Sequence, residues 1–258
     1  MEPPISPLLF SLMLLLGMLI LIESGRRLGV KRRSKESDSE RGSLGTVEGA
    51  VFAMFGLLMA FTFSGAALRF NEKRMLIAEE SNAIETAYLR LDLVPEKRAE
   101  LQDLFRHYLD SRLEMYHRLP NLQAAALEGA KSKALQTQIW TDAVAATQLP
   151  SSHADAGKLL LPALNNMIDI TTVRFMALQL HPPGVIYWLL FTLGLICSLL
   201  VGYRMAVGDR RSWLHILGFT LITVIIVYVI LDVEYPRAGL IRLEAADQAL
   251  VEVRNAMK

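Results

Sequence analysis

Cysteine is nearly missing from this chain. Cys197 is the only one in 258 residues, so neither an intrachain disulfide nor a cysteine-based metal site can form. A charge excess of either sign is missing too. The formal net charge is +1, and outside one short stretch there is no concentrated basic face to neutralise phosphates, which argues against nucleic acid as a partner. Catalytic signatures are equally scarce: there is no phosphate-binding glycine loop, dinucleotide fingerprint, nucleophile elbow or zinc-protease pair. His107, His153, His181 and His215 lack zinc-type spacing. Glu114 and His117 have the i, i+3 spacing of a bundle metal half-site, but no second Glu-x-x-His accompanies them. We therefore expect no enzyme, no cofactor and no metal.

Apolar residues are abundant. The chain is 52% hydrophobic with a mean hydropathy of +0.32, too apolar for an ordinary soluble domain and too charged to lie in a membrane throughout. The stretch from Thr46 to Leu93 holds both tendencies. It begins as a membrane span and continues, without proline or a turn cluster, into a charged amphipathic segment. As one helix it measures about 70 Å at roughly 1.5 Å per residue, twice what a bilayer core needs. Gly49, Ala53, Gly56, Ala60 and Ser64 share one face, where another backbone can approach closely. Phe52, Phe55, Met59 and Phe63 form a bulky face beside it. Two readings stand: packing against helices and lipid, or a pore lining with phenylalanine constrictions.

The other spans follow in order. Residues 1–23 end in a leucine-rich run that lacks the positive amino end and the cleavage site of a signal peptide, so it reads as a retained first span. Residues 24–46 read as a flexible basic loop. Its Lys and Arg place it in the cytoplasm, in reach of lipid headgroups. The second span is 47–68, and a helical soluble domain fills 69–183. In it Pro95 opens a helix with Leu101, Leu104, Phe105, Tyr108, Leu109, Leu113 and Tyr116 on one face. Asn121 caps the next helix, Ser151 or Ser152 caps a third, and Pro162 should kink or restart it. The third span is 184–202, led by Tyr187 and Trp188, then a short basic loop at 203–212, the fourth span at 213–232 and an amphipathic C-terminal helix in 233–258. The fold class is thus all-α, an integral membrane protein with four transmembrane helices and a helical domain inserted between the second and third.

Charged residues at the span ends are the costly ones: Glu23, Arg69 and Asp232. Arg69 and Asp232 belong at one membrane face, where a pair between them is sterically conceivable. Glu79, Glu80, Asn82 and Glu85 read as a solvated acidic patch. The polar run Asn165, Asn166, Asp169, Thr171, Thr172 and Arg174 reads as a segment that faces the long helix and bonds to its charges.

Several residue groups together resemble the bacterial bestrophin-like domain family: Glu23 to Gly29, Phe61 to Ser64 with Arg69 and Phe70, Glu80 to Ile84, Ala87 to Arg90, Asp169, Gly202-Tyr203, and Leu231-Asp232 with Pro236 and Gly239. The resemblance covers nearly the whole chain. It implies a polytopic membrane protein distantly related to bestrophins, which are pentameric anion channels with a phenylalanine-lined neck on the second span and a helical domain between the second and third. By that analogy Phe52, Phe55 and Phe63 correspond to neck residues. Bestrophins keep the helical domain cytosolic, whereas the loop charges here place it outside. The expected function is an oligomeric anion channel, with chloride as the anion. The alternative is a non-conducting membrane-anchored sensory or protein-interaction module. Expected partners are membrane lipid and further copies of the chain, five in a channel; the expected location is a bacterial inner membrane.

Overall fold

The computed structural model describes residues 6–32, 38–118, 121–206, 212–236, 240–241 and 243–257, and the described residues form helices and turns with no strand. In chain order the helices are α1 (Pro7–Arg32), α2 (Asp38–Leu89), a 3-10 turn (Arg90–Leu93), α3 (Arg98–His117), α4 (Leu122–Thr147), α5 (Ala156–Gln179), α6 (Gly184–Met205), α7 (Trp213–Glu234) and α8 (Glu244–Ala256). Four stretches are long and apolar enough to cross a membrane: Pro7–Arg32, Gly45–Leu93, Ala156–Met205 and Trp213–Glu234. The chain gathers into two compact units, Glu2–Arg69 with His181–Tyr235, and Phe70–Leu180 with Pro236–Lys258.

In the apolar unit, α1 and α6 run parallel in close contact. Phe10 meets Trp188 and Phe191 edge to face, Gly17 stands against Leu195, and Gly29 against Ala206. Glycine sets the distance between them. A Cβ on Gly25 would stand 2.1 Å from the Leu199 carbonyl oxygen, and one on Gly202 would stand 2.0 Å from that of Ile22. In a membrane such backbone approach supplies the dispersion that apolar side chains cannot gain over lipid. α2 runs antiparallel to α6, with Phe55 against Gly194 near mid-span and Glu48 paired to Arg204 at one end. The carboxyl ends of α1 and α6 and the start of α2 therefore share a face of this unit, as alternating spans require.

The helical unit is built on apolar stripes at helical spacing. Ile84, Ala87 and Leu91 from the α2 side join Leu101, Phe105, Tyr108, Leu109 and Tyr116 of α3 in one core with Ile139, Leu160 and Leu164. α8 closes it through Leu250 and Met257. The Asn121 side chain accepts from the Ala124 amide at 3.1 Å, as expected of a cap.

Several expectations need correction. The stretch 24–46 is not a loop throughout: α1 continues to Arg32 and α2 begins at Asp38. Close packing of Gly25 and Gly29 on α6, with an Arg27–Glu23 pair at 3.0 Å, supports the extra turns. Pro95 lies in the turn before α3 and does not open it, since the helix starts at Arg98. Neither Ser151 nor Ser152 caps α5; their hydroxyls donate to Glu96 and to the Ala146 carbonyl, and the N-cap position is Asp155. Pro162 sits in the second turn of α5, which runs through it unbroken. Gly239 and residues 207–211 of the short basic loop lie outside the described residues.

Candidate functional site

The two faces of the second span meet different surroundings. Phe55 is 2% exposed and packs behind Gly194, while Phe52 meets Phe219 edge to face at 6.2 Å. With Gly56, Met59, Ile222 and Thr223 these two rings line an apolar cleft. Phe63, by contrast, is exposed. Gly49, Ala53, Gly56, Ala60 and Ser64 are all exposed, and a Cβ on Gly49 or Gly56 would meet nothing within 4 Å. Of the pore candidates Phe52, Phe55, Met59 and Phe63, Phe55 is thus buried against α6, Phe52 and Met59 are half-buried at the cleft and Phe63 is exposed.

At the end of this unit where α7 stops, Glu234 is fully buried and gathers three elements. Arg69 Nε donates to its two carboxylate oxygens at 3.1 and 3.0 Å, and Nη2 donates to Oε2 at 2.7 Å. His181 Nδ1 lies 3.0 Å from Oε1, and its ring stacks on Tyr235 with centroids 4.5 Å apart. Arg69, His181 and Tyr235 are also the residues at which the chain leaves or re-enters this unit. The carboxylate that holds Arg69 in this fork is thus Glu234, two residues beyond the expected Asp232, which is itself buried near the Tyr228 hydroxyl. Neither Glu234 nor His181 carries a local sequence signal. They lie 165 and 112 residues from Arg69, and only alternation of the spans brings their ends together.

The helical unit holds a second buried carboxylate. Glu80 continues the buried stripe Ile77, Ile84, Ala87 and Leu91, so it points into the core and not to solvent as its acidic neighbours suggested. Arg112 Nε donates to Oε1 at 2.8 Å, and Arg174 donates to Oε2. The Tyr116 ring lies beneath both guanidiniums, 5.1 Å from Arg112 Cζ and 4.3 Å from Arg174 Cζ, and its hydroxyl accepts from Arg112 at 2.6 Å. Burial alone would lower the Arg112 pKa, but Tyr116 and Glu80 outweigh it and raise it above the usual guanidinium value. Next to it, burial pushes the Tyr108 phenol up, and its oxygen accepts from Gln136 at 3.1 Å. Arg112 was legible in principle: it is four residues after Tyr108 and four before Tyr116, a charge set in an apolar stripe.

Of the polar run on α5, Arg174 alone bonds to a charge of α2, while Asn165, Asn166, Asp169 and Thr172 are exposed. Asp169 accepts from Asn165 at 2.8 Å, and Asn82 is exposed on α2. Glu114 pairs with Arg118, and no cluster of metal-ligating side chains occurs among the described residues.

The family model described as Bestrophin-like domain matches residues 12–247. The chain belongs to that family. With its four apolar stretches, this bestrophin-like protein is a multi-pass membrane protein. No curated protein and no solved structure matches it. The match takes in most of the first span, the other three spans, the Glu234 fork and the Glu80 centre, and it assigns a role to none of them.

Proposed function

We propose that this chain is one subunit of a homo-oligomeric anion channel in a bacterial inner membrane, with the small-residue face of α2 turned to the oligomer axis. The observation that carries this reading is the open face itself. Along the span, Gly49, Ala53, Gly56, Ala60 and Ser64 are all exposed, and a Cβ on Gly49 or Gly56 would meet nothing within 4 Å, so a narrow ridge is left for neighbouring copies or for a water-filled path. Phe63 follows Gly56 by seven residues and borders the same face, which makes it the constriction candidate. The edge of an aromatic ring is its positive rim, a suitable neighbour for a partly dehydrated anion such as chloride. The basic ends of α1 and α6 favour the cytoplasm, so the segment between Arg69 and His181 leaves on the opposite side.

The test has two stages. The mass of the detergent-solubilised particle, corrected for bound detergent, is expected to equal five copies. In planar bilayers the particle is expected to pass anion-selective current, altered in conductance by Phe63→Ala. Phe55→Ala should lower stability first, because that ring is core. A pentamer that never exceeds blank bilayers at any halide gradient would sink the channel. A monomer would remove the axis and leave the non-conducting interaction or sensory module as the reading.

A further inference from the structure

Beyond Arg69, α2 is divided lengthwise between two surroundings. Lys73, Ile77, Glu80, Ala83, Ile84 and Ala87 are buried, whereas Arg74, Met75, Ala78, Glu79 and Asn82 are exposed. That division follows a seven-residue repeat. A partner helix in a coiled coil covers positions a, d, e and g, while b, c and f turn away from it. With Met75 and Asn82 at a, Ala78 falls at d, Glu79 at e and Arg74 at g, and each of the six buried residues falls at b, c or f. Ser81, at g, departs from this and donates to the Ala249 carbonyl. The phase continues back along the same helix, where the a positions Val47, Met54, Phe61 and Leu68 are large, apolar and more than 60% exposed. Ala53 and Ala60 of the small-residue face fall at g and Ser64 at d, so that face adjoins the repeat. Lipid imposes no seven-residue repeat on a surface, whereas a partner helix does.

Charge names the partner. Neither Arg74 nor Glu79 has an opposite charge three or four residues away on α2, the spacing at which a helix pairs its own side chains. They stand five apart, from g of one repeat to e of the next. That offset places a side chain of one helix against a side chain of another when the two run parallel and in register. Membrane insertion supplies the parallel arrangement, because copies of a polytopic chain take the same orientation. We propose that α2 of one copy pairs with α2 of a neighbouring copy in a parallel, in-register coiled-coil seam, closed by Arg74 of each copy on Glu79 of the next. Asn82 fixes the register, since a lone asparagine at an a position bonds best to its equivalent in the neighbour. Glu85, at the following d position, would set like charges together, so the close contact ends at Asn82. The seam rests on the homo-oligomer proposed above and does not require that it conduct ions.

The experiment is charge reversal in the full chain, read as particle mass on dilution in detergent. Arg74→Glu or Glu79→Arg alone sets like charges at every contact and should weaken assembly about tenfold or more. The double reversal, Arg74→Glu with Glu79→Arg, remakes the pair between copies and should restore the native mass. A second readout does not depend on detergent. Since the one native thiol is buried, Asn82→Cys should form a disulfide between copies under mild oxidation in the membrane, while Glu100→Cys, exposed on α3, should not. The seam is overturned if a native oligomer keeps its mass in both single reversals, or if the double reversal stays apart. It is equally overturned if Asn82→Cys links to a different protein, or links no faster than Glu100→Cys. In each of these cases the native oligomer, and with it the channel reading, stands. A native monomer overturns both, and an assembly that responds as expected but passes no current overturns the channel and leaves the seam.

Discussion

Two sets of glycines in this bestrophin-like protein have opposite surroundings. Gly25, Gly29 and Gly202 are filled against backbone at the α1–α6 contact, so near that a methyl group would overlap a carbonyl oxygen or a neighbouring side chain. Gly49 and Gly56 on α2 have open space where a Cβ would stand. Both sets follow the small-residue logic of membrane helices. One set has its partner inside the subunit, and the other does not. Spacing alone therefore says that a close contact is wanted, and only the structure tells which contacts one copy of the chain already satisfies.

The comparison breaks first at Gly202. Replacing it by Leu drives a side chain into the Ile22 carbonyl, which neither helix can yield without separating, and should cost more than about 3 kcal/mol. Cys197 is a convenient reporter, since it is the chain's only thiol and is buried on the same helix. A thiol-reactive dye should label Gly202→Leu in mild detergent under conditions where the native chain resists it. Gly25→Ala comes next. It adds one carbon, 2.1 Å from the Leu199 oxygen, and should cost about 2–3 kcal/mol, read as a lower temperature for the onset of labelling. Labelling unchanged by either variant would mean that α1 and α6 are not in backbone contact.

Gly194 sharpens the scale from within the same subunit. Its Cβ would lie 3.4 Å from Leu14 Cδ1 and 3.5 Å from Phe55 Cζ, both outer atoms of side chains that can shift. Gly194→Ala should therefore cost less than about 1 kcal/mol, well below Gly25→Ala for the same added atom. Equal losses at the two positions would show that helix propensity and not proximity governs them.

The same contrast marks how far the sequence could be read. Long apolar runs have few physical alternatives, so the all-helical class, the four apolar spans and the cap at Asn121 were legible. The helix ends were less so, because the turns that carry α1 to Arg32 depend on α6, whose closest contacts lie more than 170 residues away along the chain. Charge was read worst. Glu80 looked like part of a solvated patch with Glu79 and Glu85, and only its place in the Ile77–Ile84–Leu91 stripe betrays that it turns inward to Arg112 and Arg174. At the other centre, Arg69 and Asp232 were paired by membrane depth. Depth cannot distinguish Asp232 from Glu234, which are two residues apart on one helix, whereas the direction of each side chain can.

Gly56 gives the smallest effect on the subunit and separates its two surroundings most cleanly. Gly56→Ala adds a carbon where nothing lies within 4 Å and removes a flexible residue from a helix, so one copy of the chain should be unchanged or up to about 1 kcal/mol more stable. If neighbouring copies meet along this face, the same carbon keeps their backbones apart. The particle mass should then fall or become dependent on concentration, while Cys197 stays as protected as in the native chain. Gly56→Leu should exaggerate the loss of assembly and still spare the subunit. A full-mass particle from both variants would mean that the face is not an interface and is open to water or lipid. Conductance would then decide between those two, because a leucine side chain narrows a pore and does not disturb a lipid-facing surface.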